Sequence, residues 1–471
     1  MTSTCLLWLR RDLRLHDHPA LHRARTEFDV VIPVFVLDEA LLHGRYASSP
    51  RAQFLFGCLR TLDAELSRRG SGLVLRRGAP EHELRKLAAA VGARAVLWTS
   101  DVSPYARRRD AAVTEALREE GVQAVPCTGT YARDVSKVRT QGGDAFTVFT
   151  PYWKAWERVA AREVHGAPRT MAPLPRGLDR GALPERGHGP GEALGAPICE
   201  PGEPAAREAL RRWLDGPVDR YADRHDTLAG GTSILSPYLR WGCLSARECE
   251  ERARRRGTPG ALAWVRQLAW RDFYASVLLE HPENVRREFQ PKFRALEWED
   301  DAEALDAWRR GETGFPLVDA GMRQLAATGW MHNRARMVVG SFLTKDLHLD
   351  WRLGERHFAA LLLDGEPAQN NGNWQWIAST GVDPAPYFRR IFNPILQQQK
   401  FDPDGAYVRR WVPELAAVPD ARLAEPWTMT EAEQRDARCA IGLDYPAPLV
   451  DHADERKRAM DRYRAAAASV A

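Results

Sequence analysis

The first third of the chain alternates short apolar runs with amphipathic stretches, and that rhythm sets its class before any motif is considered. CLLWL (5–9), VVIPVFVL (30–37), GLVLR (72–76), AVLWT (95–99) and VQAVP (122–126) are mostly apolar along their length. A strand covered on one face alternates apolar and polar positions; a strand covered on both faces, as in a parallel sheet, does not. Between these runs, AQFLFGCLRTLDAELSRRG (52–70), EHELRKLAAAVGA (81–93) and RRRDAAVTEALREEG (107–121) carry helical periodicity and end at or near glycine. The pattern predicts a doubly wound α/β domain over residues 1–130. No GxGxxG follows the first strand, so a standard dinucleotide fingerprint is missing and a flavin is not expected there.

From about Arg162 to Pro204 the periodicity dissolves into proline and glycine (HGAPRTMAPLPRGLDRGALPERGHGPGEALGAPICEPGEP). This predicts a long irregular stretch wrapping the surface, within an interdomain connector over 131–203. Beyond it, 204–471 reads almost entirely as helix, a larger all-α domain. A chain of 471 residues is too long for one ordinary core, which agrees with two domains.

Composition narrows the function classes. A formal charge of +4 is only mildly basic and allows a local nucleic-acid footprint without demanding one. The seven cysteines show no CxxC and no metal-ligand spacing, which predicts reduced thiols, a cytoplasmic protein and no metal site. The start, MTSTCLLWLRRDLRL, has too short an apolar run and misplaced charges for a signal peptide, and no stretch approaches a membrane span. The 16 tryptophans are the unusual count; core packing is the default reading for most of them.

The most informative segment is GMRQLAATGWMHNRARMVVGSFLTKDLHLDW (321–351) followed by RLGERHFAALLLDGEPAQNNGNWQW (352–376). It sets Trp, Asn, Arg, Asp and Gln among aliphatic residues. Asn333, Arg336 and Met337 fall at i, i+3 and i+4 and share one helix face. Such a face must satisfy its polar groups internally or with a ligand, and a large flat heteroatom-rich molecule would serve. Upstream, Thr232, Ser233 and Ser236 in GGTSILS precede a helical run. On residue types alone they are an ordinary helix cap or a phosphate cradle. Gln267, Trp270 and Tyr274 stand at helical spacing in QLAWRDFY, where core packing is the plain alternative.

The order RRDLRLHDHPAL (10–21), GTSILS, QLAWRDFY, TGWMHNRARM, DWRLGERHF, NNGNWQW and RIFNP resembles the DNA photolyase/cryptochrome flavoproteins over nearly the whole chain. It looks most like a class I photolyase for cyclobutane pyrimidine dimers. The resemblance implies FAD in the helical domain, with Thr232, Ser233, Ile234, Leu235 and Ser236 at its pyrophosphate and Tyr221 in its pocket. Asn333, Arg336, Asp364 and Glu366 would line the flavin; Glu366 stands where the family more often has Asp. Asn370 matches the residue facing flavin N5, where Asp would point to a plant-type cryptochrome. Trp374, Trp351 and Trp298 match an electron-transfer relay, and Trp308 is left to the core.

For the lesion, the resemblance implies aromatic walls at Trp270 and Trp376, Met337 beneath, and Gln267 bonded to the dimer's bases. Family members for cyclobutane dimers commonly carry Glu where this chain has Gln267. Gln there also occurs in (6-4) photolyases, but those place His in the segment matching HNRARM, where this chain has Asn333 and Met337. Among the candidate phosphate contacts Arg271, Arg334, Arg389, Arg390, Lys400, Arg409 and Arg410, the favoured ones are Arg271, Arg334 and either Arg389 or Arg390. Arg51, Asp101 and Arg240 resemble antenna-binding residues, which implies 8-hydroxy-5-deazaflavin, with a folate as second choice. The expected function is light-driven repair by a monomer acting on UV-damaged DNA, with a cryptochrome-like photoreceptor or a (6-4) photolyase as the alternatives.

Overall fold

A computed structural model of the chain describes residues 2–183, 197–383 and 385–468. The middle of the proline- and glycine-rich connector, 184–196, lies outside the described residues, as do the last three residues of the C-terminal AAAASVA.

Five parallel strands form one sheet: β1 (Thr4–Leu9), β2 (Val30–Leu37), β3 (Val74–Arg77), β4 (Ala95–Thr99) and β5 (Gln123–Cys127). Their order is β3-β2-β1-β4-β5, so the winding reverses between β1 and β4. Register is set with Leu6 opposite Ile32 on one side and Val96 on the other. Side chains of β1 feed both faces: Cys5, Leu7 and Leu9 pack on one, Leu6 and Trp8 on the other. That two-sided burial is why these runs do not alternate.

The connector is not featureless. Phe149–Trp156 is a helix, FTPYWKAW, with Phe149, Tyr152 and Trp156 buried at helical spacing. Buried Asp272 fastens the connector to the helical domain by accepting the N–H groups of Ala132 and Arg133 and the Trp156 indole at 2.9 Å. Burial pushes its carboxyl up to about 6, against those donors. Residues 162–183 run without regular structure along the α/β domain, where the Leu75 N–H donates to Arg180 and the Met171 N–H to Arg69.

The helical domain centres on the long helix Pro259–Glu280, which packs against Pro367–Ile377. At that crossing a Cβ on Gly372 would fall 2.2 Å from the Tyr274 ring, so only glycine permits the approach. Helices Asn333–Ser341 and Trp351–Leu361 also pack on Pro367–Ile377, and these elements carry most of the candidate residues. No described helix is long and apolar enough to cross a membrane, and no metal-binding cluster is found among the described residues.

Candidate functional site

Asp364 ties the centre of the helical domain together. Its Oδ2 accepts the Ser236 hydroxyl at 2.6 Å and the Arg336 guanidinium at 2.8 Å. Ser236 in turn accepts the Trp330 indole N–H at 3.2 Å, and Arg336 also donates to the Met331 carbonyl at 2.8 Å. One carboxylate thus joins the 230–236 loop, the Asn333–Ser341 helix and the entry to Pro367–Ile377. Asp364 Oδ1 is buried and without a partner. A buried charged acceptor lacking a donor is costly unless a ligand supplies one.

The loop itself is strained. Ile234 has φ +52°, a left-handed conformation that a β-branched residue rarely adopts. Strain of this kind costs on the order of 1–3 kcal/mol and marks sites where backbone placement matters. It sets Ser233 and Ser236 either side of Leu235, whose side chain points into the core. A cleft of about 380 Å³ lies beside Thr232 and Ser233, with Arg212, Arg220 and Arg224 among its lining residues. Cations beside hydroxyls and free backbone suit a pyrophosphate. Tyr221 stands nearby, edge-on to Trp213 at 5.8 Å.

These residues fit an FAD. Asp364 Oδ1 needs a donor, which ribityl hydroxyls or a flavin N–H would supply, and the hydroxyl loop and arginine cleft match the phosphates. Asn370 donates its amide N–H to the Glu355 carbonyl at 2.9 Å, which fixes the orientation of the side chain. Asn333 is exposed and its amide contacts Met337 Sδ at 3.7 Å, so the face proposed from spacing exists.

His332 was not singled out by sequence. It caps the Asn333–Ser341 helix, its Nδ1 accepting the Arg334 N–H at 3.1 Å. Burial pushes the ring down to about 4, against the pull of Asp226, so it is neutral with its proton on Nε2.

Trp351 and Trp374 belong to one hydrophobic cluster, and Trp298 packs against it. Trp351 is fully buried, Trp374 nearly so and Trp298 half-buried. Gly354, one turn after Trp351, abuts the Trp374 ring: a Cβ there would sit 2.1 Å from Cη2. Glu299, next to Trp298, bridges to Leu349 and donates its N–H to the His348 carbonyl at 2.9 Å, which brings Trp298 beside the Trp351 helix. We therefore expect Gly354→Ala to displace Trp374. Overpacking of this kind costs about 1–3 kcal/mol, so Tm should fall. Flavin photoreduction, followed by the loss of oxidised-flavin absorbance under blue light, should fall by about an order of magnitude.

Around the lesion face, Trp270 is half-buried and stacks on Phe149 with ring centroids 3.7 Å apart and planes 8° apart. Arg266 stands 5.4 Å over the other ring of that stack. Trp376 is half-buried too, with Arg390 4.4 Å above it and Asp383 accepting its indole N–H at 3.1 Å. Gln267 and Arg389 are exposed. Of the paired arginines, Arg390 is the anchored one, bound to Asp383 at 2.7 Å, and Arg389 is the solvent-facing cation.

Three of the candidate residues already have partners within the protein. Arg271 is buried, with its guanidinium held by Glu366 at 3.1 Å and by the Thr130 and Leu239 carbonyls. Arg334 is paired with Asp226 at 2.6 Å and lies over Phe401, so its charge is already compensated. Glu366 is buried and held by arginines. Its carboxylate takes Arg11 at 2.7 Å as well as Arg271, at the seam between the domains. These same residue types serve a domain interface, which a motif match does not distinguish.

That seam borders a larger cavity of about 880 Å³ at the carboxyl ends of β1, β2 and β4, lined by Trp8, Asp38 and Thr99 among others. Open α/β sheets place ligands at this switch point. Arg51, Asp101 and Arg240 all line it. Burial pushes the Arg51 guanidinium down to about 10. It donates to the Ala359 carbonyl across the seam. Arg240 donates to the Gly365 carbonyl at 2.8 Å and leaves Nη1 buried without a partner. Burial favours a neutral Asp101, but Arg11 at 2.8 Å and the Ser103 N–H outweigh it and hold the carboxyl well below the usual range.

A sheet with a switch-point cavity is joined to a helical domain whose polar groups suit a flavin cofactor. The family model described as DNA photolyase matches residues 5–175, and the one described as FAD binding domain of DNA photolyase matches 264–465. The chain is 44% identical to the deoxyribodipyrimidine photo-lyase of Streptomyces griseus, over 97% of this chain and 98% of that one. Among solved structures, a class III photolyase from Agrobacterium tumefaciens superposes with a TM-score of 0.90 at 34% identity, covering 99% of this chain and 98% of its own. A cryptochrome from Synechocystis sp. PCC6803 also gives 0.90, at 28% identity, covering 98% and 99%. The chain belongs to the DNA photolyase family, and it is an FAD-binding lyase.

Proposed function

We propose that the protein repairs cyclobutane pyrimidine dimers in UV-damaged DNA, with the dimer flipped out of the duplex. The observation that carries this reading is that half-buried Trp270 and exposed Gln267 sit on Pro259–Glu280, which packs on the helix bearing half-buried Trp376, itself packed on the helix bearing Met337. Aromatic faces stabilise an extruded dinucleotide, and extrusion is least costly where pairing is already damaged. Bound in this site, fully reduced FAD supplies a photoexcited electron that the dimer accepts and later returns. The Arg336–Asp364 pair orients the cofactor's binding face, and the Asn370 amide sets a neutral dipole at its reactive edge. Gln267 offers an N–H to the dimer's carbonyls. Trp374, Trp351 and Trp298 carry electrons inward to regenerate the reduced cofactor. Arg389, exposed at the surface, contacts phosphate.

The switch-point cavity is read as the antenna site, for 8-hydroxy-5-deazaflavin in preference to a folate. Nine arginines, Arg11, Arg51 and Arg240 among them, line it against six carboxylates, which suits a chromophore that binds as an anion.

Photoreduced protein and UV-irradiated DNA carrying both lesion types provide the test. Mass spectrometry after blue illumination should show cyclobutane dimers lost and (6-4) products unchanged against a dark control. Loss of (6-4) products alone would reassign the substrate to the lesion suggested by Gln267. Loss of neither, with photoreduction intact, would leave the photoreceptor reading. Gln267→Glu supplies a carboxyl that, in its protonated form, donates to the dimer's carbonyls and can pass a proton to the dimer radical anion, and should raise the dimer repair rate about two- to fivefold in limiting light.

A further inference from the structure

Trp351 differs from its neighbours in what its indole N–H meets. Nε1 donates to Glu288 Oε1 at 3.3 Å, both side chains being buried. The same oxygen receives Arg352 Nη2 at 2.8 Å, and the Arg352 guanidinium lies 4.8 Å from the Trp351 ring centroid. Of Trp298, Trp308, Trp351 and Trp374, only Trp351 donates to a carboxylate among the described residues. Trp308 touches Trp374 at 6.2 Å, so it offers a hole an alternative branch. Its indole, however, donates to the neutral Val339 carbonyl at 3.0 Å.

We propose that Glu288 directs the relay: its carboxylate makes Trp351, rather than Trp308, the favoured position for a hole leaving Trp374. The inference rests on the reading of Trp374, Trp351 and Trp298 as the relay.

Removing an electron from an indole makes its N–H strongly acidic, and an ionised acceptor at that N–H stabilises the cation far better than a neutral carbonyl does. Trp374 would give up the first electron, to photoexcited flavin as the oxidant that a bound cofactor supplies. An electron then passes from Trp351 to Trp374, which is restored, and Trp351 becomes the radical cation. Its proton moves toward Glu288 within the existing hydrogen bond and does not leave. When an electron arrives from Trp298 the proton returns, Trp351 is restored, and half-buried Trp298 releases its own proton to water. Arg352 opposes the effect, because a cation over the ring face disfavours a hole there. The two charges of one ion pair therefore act on Trp351 with opposite sign.

Flash photolysis of the FAD-loaded protein without DNA tests this, reading the tryptophan-radical absorbance that persists after the flash. Glu288→Gln keeps an acceptor and removes the charge. It should lower the yield of the long-lived radical about fivefold, equivalent to about 1 kcal/mol at 25 °C. Arg352→Gln should raise that yield. Dimer repair by dithionite-reduced protein, which does not use the relay, should stay at the wild-type level in both variants and shows that each is folded. An unchanged yield in Glu288→Gln, while Trp351→Phe abolishes the signal, would overturn the role of Glu288 and keep the relay. An unchanged yield in Trp351→Phe would overturn the relay itself. A parallel fall in both charge variants, or a matching fall in repair by reduced protein, would mean that the ion pair is structural and the proposal wrong.

Discussion

Asp364→Ala should yield protein purified almost free of flavin. The substitution removes the acceptor for both Ser236 and Arg336 and leaves the Arg336 cation without its partner in a partly buried site. Breaking a buried pair from one side costs about 3–5 kcal/mol. At about 1.4 kcal/mol per tenfold, that lowers FAD affinity by a factor of about 10² to 10³ if most of the loss falls on binding. The ratio of flavin to protein absorbance and an FAD titration of the refilled protein measure it. Asp364→Asn keeps an oxygen for the Ser236 hydroxyl and should retain an intermediate amount of cofactor. Full retention of flavin in the alanine variant would show that the cofactor is not anchored at this carboxylate.

The same residue illustrates what the sequence could and could not convey. The strands were legible because two-sided burial writes continuous apolar runs, and observed edges differ from the apolar runs by at most two residues. The helix Phe149–Trp156 was not, because its residues lie in a stretch assigned to the connector and its aromatic spacing was not weighed. In the site, Arg336 and Asp364 could be paired from the motif, but the third partner, Ser236, and the orphaned Oδ1 require coordinates. Arg271 and Glu366 mark the opposite case. Their types suit phosphate and flavin, yet the fold turns them toward each other and toward Arg11, where burial and opposite charge satisfy both. Ile234 carries no sequence signal at all, since its backbone angle is imposed by the packing around it.

Trp270→Ala should separate lesion recognition from cofactor binding. The ring lies against Phe149 on one side, so its plane is fixed before DNA arrives and little side-chain freedom remains to be lost on binding. Stacking of a base on an aromatic ring contributes about 1–3 kcal/mol. Loss of Trp270 should therefore weaken binding of dimer-containing DNA about 10- to 100-fold. Binding of undamaged duplex, which depends on phosphate contacts such as Arg389, should scarcely change. Phe149→Ala leaves the indole in place but frees its plane, and should give a smaller loss in the same direction. Fluorescence anisotropy with damaged and undamaged duplexes at one salt concentration measures both, with flavin content as the check that the Asp364 site is intact. An equal loss on both duplexes would make Trp270 a general DNA contact. No loss on either would return it to the core, where residue type alone would have left it.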